Sequence, residues 1–145
     1  EETEESLKKE SQEKFKGDKH DRALEVAYKT DKEVAMKFGA VWCTKCDEMQ
    51  KETFDDKEVS EFIKGNDVLV GVDVDDHPEL TEKYNVRKLP LTLLGKVEVV
   101  TDENREKLKD APQATVGDTT YAFVVRERVE GYKNKEEMFK LLKHQ

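Results

Sequence analysis

The chain has 145 residues, 41% of them charged, and a net charge of -8. That length suits one domain with a single substantial core, and the acidic balance argues against a nucleic acid partner. No apolar run approaches the roughly 18 residues a membrane-spanning helix needs, and Glu1-Glu2-Thr3-Glu4 offers neither an initiating Met nor an apolar leader, as expected of a processed form.

From Glu1 to about Lys16 the only apolar side chains are Leu7 and Phe15, so this stretch reads as a frayed helix or a charged tail. Its Glu4 to Lys8 and Glu5 to Lys9 pairs each add only about 0.2 to 0.5 kcal/mol of helix. The expected division is a tail over residues 1–18 and a folded domain over residues 19–145. Ala23, Leu24, Ala27 and Tyr28 then fall at helical spacing and form one apolar stripe. Val34, Met36 and Phe38 alternate with Ala35 and Lys37, which predicts a strand running into Gly39-Ala40-Val41-Trp42-Cys43. Beyond Cys46, residues 47–52 are good helix formers, which places Cys43 at a helix N-terminus. Asp55 or Asp56 can cap a further helix bearing Val59, Phe62 and Ile63, closed by Gly65-Asn66.

Val68 to Val74 is almost continuously apolar and β-branched, the pattern of a strand covered on both faces, and is the expected central strand. Pro78 suits the first turn of a short helix with Leu80 and Tyr84, and Pro90-Leu91-Thr92-Leu93-Leu94 begins another strand. Residues of about 95–119 read as an extended surface insertion, strand-like at Val97 to Val100 and helix-like at Asp102 to Asp110. A last strand is expected over about Thr120 to Val129. Asn134 and Glu137 form a capping box for a final helix with Met138, Leu141 and Leu142. The order βαβαββα behind an N-terminal helix is that of an α/β fold.

Cys43 and Cys46 are the only two cysteines, and a loop so short staples nothing, so their pairing is chemical rather than architectural. A helix N-terminus lowers a thiol pKa by placing unpaired N–H groups and positive partial charge beside the sulfur. The expected geometry exposes Cys43, the attacking thiol, and covers Cys46, the resolving thiol. The competing readings are half of a zinc site and a pair of inert buried thiols. A zinc site lacks a second cysteine pair, since His20, His77 and His144 are scattered. A strand-to-helix location beside Trp42 disfavours the inert reading.

The motif Trp42-Cys43-Thr44-Lys45-Cys46 resembles that of the thioredoxin superfamily. Cys46, Glu48, Lys51, Thr53-Phe54, Asp56 and Val59 also resemble a string of the C-terminal thioredoxin-like domain of the disulfide reductase DsbD and its single-domain relatives. Val72-Asp73-Val74-Asp75 and Tyr84 to Pro90 are similar to the superfamily's central strand and its approach to a cis-proline. The resemblance covers roughly Asp21 to Leu94 and resumes from about Tyr121 to Leu142. It implies a thioredoxin-like fold with a central mixed β-sheet flanked by helices. It also implies a cis Pro90 facing the cysteines, Leu89 offering backbone groups to an extended substrate, Trp42 shielding the sulfurs, and Thr44 and Lys45 tuning them. Leu91 replaces the threonine common after that proline. Lys37 stands where the superfamily usually has a partly buried aspartate, and Gln50 where the nearest relatives often have a glutamate. A cation in place of an acid implies a lower Cys43 pKa and a more oxidising couple, unless Lys37 snorkels to water.

The implied activity is protein-disulfide reduction by a monomer through a mixed disulfide. A redox partner protein supplies electrons, no metal or organic cofactor is needed, and the location is the bacterial periplasm or otherwise exported, with the cytoplasm as the alternative. Disulfide donation or isomerisation is the alternative chemistry, and a non-catalytic binding or assembly module the alternative of another class.

Overall fold

The computed structural model describes residues 1–144. Six strands form one mixed sheet in the order β1-β3-β2-β4-β6-β5, with β1 Lys14–Lys16, β2 Glu33–Gly39, β3 Asp67–Asp73, β4 Leu91–Val99, β5 Gln113–Val116 and β6 Thr119–Glu130. β1, β3 and β2 run parallel, and β4, β6 and β5 are joined antiparallel. The helices are α1 Glu4–Ser11, α2 His20–Thr30, α3 Thr44–Met49, α4 Lys57–Asn66, α5 Pro78–Lys83 and α6 Lys135–Leu142. A π-helical turn, Gln50–Phe54, follows α3 directly.

The period-two pattern of β2 divides the molecule. Val34, Met36 and Phe38 enter a core with Ala23, Leu24, Val26 and Ala27 of α2, while Ala35 enters a second core with Met49, Val59, Ile63 and Met138. One sheet face therefore carries α2 and the other carries α3, α4 and α6. The expected caps form: Asp56 accepts from the Val59 N–H, Pro78 sits in the first turn of α5, and Asn134 and Glu137 make the capping box of α6.

Three stretches differ from the sequence reading. The charged N-terminal stretch forms α1 but also yields β1, whose Phe15 is buried against the core while Lys14 and Lys16 flank it outside. Three residues are too few for a visible alternation. β3 is an inner strand, but the middle of the sheet is β2 and β4. The stretch read as a surface insertion joins the sheet at both ends: β4 runs through Gly95 to Val99, residues 102–110 are successive turns rather than helix, and β5 forms a sheet edge.

Gly95 hid that continuity. A Cβ there would lie 2.1 Å from the Val124 carbonyl oxygen, so the two strands meet at a point only glycine allows. The register shifts there, with Gly95 opposite Val125 and Leu94 opposite Glu127, leaving Arg126 as the extra residue of a β-bulge. Its guanidinium donates to both Glu33 carboxylate oxygens at 2.9 to 3.0 Å and to the Leu141 carbonyl at 2.9 Å, tying β2 to the end of α6.

Gly95→Ala and Gly65→Ala should move stability in opposite directions. The first forces backbone apart, whereas at Gly65, within α4, an added Cβ meets nothing within 4 Å. Denaturant titration is expected to give a lower midpoint for Gly95→Ala and a gain of about 0.4 to 1 kcal/mol for Gly65→Ala.

Candidate active site

Cys43 and Cys46 form a disulfide where β2 hands over to α3. Cys43 is the N-cap residue, and its Sγ accepts the Cys46 N–H at 3.2 Å. The sulfur thus takes one of the N–H groups that a helix start leaves unpaired. The exposures of the two cysteines reverse the expectation. Cys43 is 8% exposed and Cys46 half-buried, because Cys46 faces an open cleft of about 500 Å³. Glycines open that cleft: Cys46 lies against Gly39, where a Cβ would stand 3.4 Å from its Sγ, and Gly71 leaves the neighbouring strand bare.

Pro90 lines the same cleft, following a cis Leu89–Pro90 peptide bond, and Leu89 before it is half-buried. Thr44 and Lys45 are exposed in the first turn of α3, with the Lys45 ammonium 3.2 Å from a Glu48 carboxylate oxygen and 5.8 Å from the centre of the Tyr132 ring. Trp42 is 66% exposed and Val41 82%, so they form an apolar surface beside the disulfide rather than part of the core. The Trp42 indole N–H donates to Asp75 at 2.8 Å, which fixes the ring at the end of β3. The His77 ring covers Gly17.

Lys37 does not snorkel freely. Its ammonium donates to the Gln50 side-chain oxygen and lies 4.9 Å from the centre of the Phe54 ring. Burial pushes its pKa down to about 8, Lys14 adds repulsion, and Asp55 opposes both. Gly71 is its partner in register on β3, and a Cβ there would meet the Lys37 Cε at an ordinary contact distance of 3.7 Å. Among the described residues no group of three or more His, Cys, Asp or Glu is gathered to hold a metal ion.

A mixed sheet whose parallel strand β2 ends at a helix start carrying a CxxC disulfide, with a cis-proline on the same cleft, has counterparts among known proteins. Residues 7–97 match the family described as Thioredox_DsbH, "Protein of unknown function, DUF255". Thioredoxin H5 of Oryza sativa subsp. japonica is 34% identical over 95 residues, covering 62% of this chain and 67% of that protein. The chain belongs to the thioredoxin superfamily. The solution structure of a thioredoxin from Thermus thermophilus superposes with a TM-score of 0.64 at 21% identity, covering 92% of this chain and 86% of that one, and shows the shared fold. Thioredoxin 3 of Plasmodium falciparum is 39% identical over 57 residues, 39% of this chain but only 29% of that protein, so the chain spans under a third of that relative's length.

The structure puts the cysteine pair at the start of α3 and Pro90 on the cleft that Cys46 faces. Gly39, Gly71 and Asp75 were not singled out, although an isolated glycine within a strand pattern signals close approach. Asp67 was also missed. It is 4% exposed, and one carboxylate oxygen finds no partner among the described residues. It lines a second cavity of about 360 Å³ that shares Lys14, Gln50, Phe54 and Leu69 with the cysteine cleft. Burial, reinforced by Glu33, raises its pKa from 3.8 to about 7, with Arg126 and Lys32 opposing.

An acid whose pKa is higher folded than unfolded weakens the fold progressively as pH rises from about 4 to 7, and the loss persists above 7. Asp67→Asn removes that penalty. Thermal unfolding should therefore show a larger rise in midpoint for Asp67→Asn at pH 8 than at pH 5.

Proposed function

We propose that the chain is a thiol-disulfide oxidoreductase that reduces protein or peptide disulfides through Cys43 and Cys46. The observation that carries this reading is the Cys43–Cys46 disulfide at the start of α3, bordered by an exposed Trp42 and an open cleft. Cys43 is the nucleophile because its sulfur, not that of Cys46, receives the helix-end N–H, which stabilises a thiolate. The Cys43 thiolate attacks a substrate disulfide, forming a mixed disulfide and releasing one substrate thiolate. Cys46 then attacks the Cys43 sulfur, the Cys43–substrate bond breaks, and the second substrate sulfur leaves with its electron pair. Trp42 and Val41 offer the apolar surface for the substrate, and Leu89 offers backbone groups beside Pro90. The redox group is the cysteine pair itself, with a partner redox protein returning it to the dithiol state. The CxExxKxTFxDxxV string running from Cys46 to Val59 supports kinship with the C-terminal domain of DsbD, and with it a periplasmic or otherwise exported location for a monomer.

Lys37 favours a second direction of flow. A half-buried ammonium on the cleft that Cys46 faces favours the reduced, thiolate-bearing state and a more oxidising couple, so disulfide donation stands as the alternative.

Insulin reduction with dithiothreitol should be catalysed by the full chain and abolished by Cys43→Ser, whereas Cys46→Ser should accumulate a mixed disulfide. Catalysis that survives Cys43→Ser and fails in Cys46→Ser would reassign the nucleophile to the more accessible sulfur. No catalysis by the unaltered chain would favour a binding or assembly module. Lys37→Asp should shift the equilibrium with glutathione at least tenfold toward the disulfide, about 30 mV more negative.

A further inference from the structure

α5 ends in a left-handed turn on the way to the cleft. Asn85 has a φ of 53°, its N–H donates to the Glu82 carbonyl at 3.0 Å, and the Val86 N–H donates to the Thr81 carbonyl at 2.9 Å. Those bonds satisfy two of the carbonyls that a helix end leaves open. The carbonyls of Tyr84 and Asn85 are taken from outside the turn by Arg128 of β6, which donates from Nη1 to the first at 2.9 Å and from Nη2 to the second at 2.6 Å. The Glu130 carboxylate lies 3.7 Å from the remaining Nε edge of the guanidinium. A planar fork on two successive carbonyls fixes both the place and the orientation of the turn.

The segment that follows has little else to hold it. Among the described residues Arg87, Lys88 and Leu89 neither give nor receive a backbone hydrogen bond. Val86 before them is buried in the core and Leu89 packs partly against it. At the far end the Pro90 carbonyl accepts the Gly131 N–H at 2.8 Å, and Pro90 lines the cysteine cleft. Both ties come from one short piece of chain, Arg128 to Gly131, so the unpaired stretch is hung from the end of β6 at two points.

We propose that Arg128 is a positioning residue for peptide substrates: its fork on the Tyr84 and Asn85 carbonyls holds Arg87-Lys88-Leu89 in place at the cleft, with their backbone groups free for an incoming strand. The proposal rests on the oxidoreductase reading and adds a residue that governs the capture of peptide disulfides rather than the reactivity of the sulfurs. An extended peptide that pairs with the segment gains main-chain hydrogen bonds, and it keeps the whole gain only where the segment is already ordered. Without the fork the turn is free to move, and each binding event must order it again. A disulfide too small to lie along the segment is indifferent to that cost.

The test mixes the dithiol form of the full chain, in single turnover, with insulin or with hydroxyethyl disulfide, which has no peptide to lay along the segment. Arg128→Gln should raise the half-saturating concentration of insulin about tenfold, while the limiting rate, the rate with hydroxyethyl disulfide and the reduction potential stay unchanged. Arg128→Lys keeps the charge but has no fork to span two carbonyls, and should fall between. Arg126→Gln cuts the tie to Glu33 at the start of β2, the end away from the cysteines, and should lower the unfolding midpoint without changing half-saturation by insulin. Unchanged half-saturation in Arg128→Gln, an equal slowing toward both disulfides, or an equal weakening in Arg126→Gln overturns the proposal and leaves the oxidoreductase reading standing. An unaltered chain that reduces neither disulfide overturns both.

Discussion

The alternation of β2 governs both the fold and the site. One set of its side chains, Val34, Met36 and Phe38, is apolar and fully buried beneath α2, and this fixes which face the strand turns inward. The opposite set, Ala35, Lys37 and Gly39, then diminishes in apolar character toward the strand's end. Ala35 lies deep in the second core, Lys37 half-buried, and Gly39 under the Cys46 sulfur. A register slip of one residue would send Lys37 into the α2 core and lift Cys46 off the sheet.

The electrostatics of the site follow from the same placement. Two sources of positive potential belong to the site: the start of α3, which gives an N–H to Cys43, and the Lys37 ammonium, which lines the cleft that Cys46 faces. They act differently. The helix end is fixed and carries no exchangeable charge, while the amine titrates because burial and Lys14 work against its proton. Gln50 and Phe54 hold that amine in place from the π-helical turn, so the departure from regular helix after α3 supplies the partners of Lys37.

Most regular elements were legible because their signals are local. Caps at Asp56 and Asn134, Pro78 in the first turn of α5, and the apolar run of β3 need only neighbouring residues. The strands without a local signal depend on distant partners. β1 is three residues long and exists because β3 offers it an edge, and β5 is held by β6 across a tight turn. The extended β4 was masked by Gly95, whose reason is the Val124 backbone far along the chain.

The sequence by itself determined the chemistry available: two cysteines at one-turn spacing, a helix start beneath them, and a cation where the superfamily usually has an acid. Residue type and short-range spacing suffice for that. Tertiary structure alone decided which sulfur faces the cleft, what surrounds Lys37, and that Asp67 is buried with one oxygen unpaired. Exposure and pKa depend on how much water is removed and which charges replace it, and both are set by strands and helices far apart in the chain.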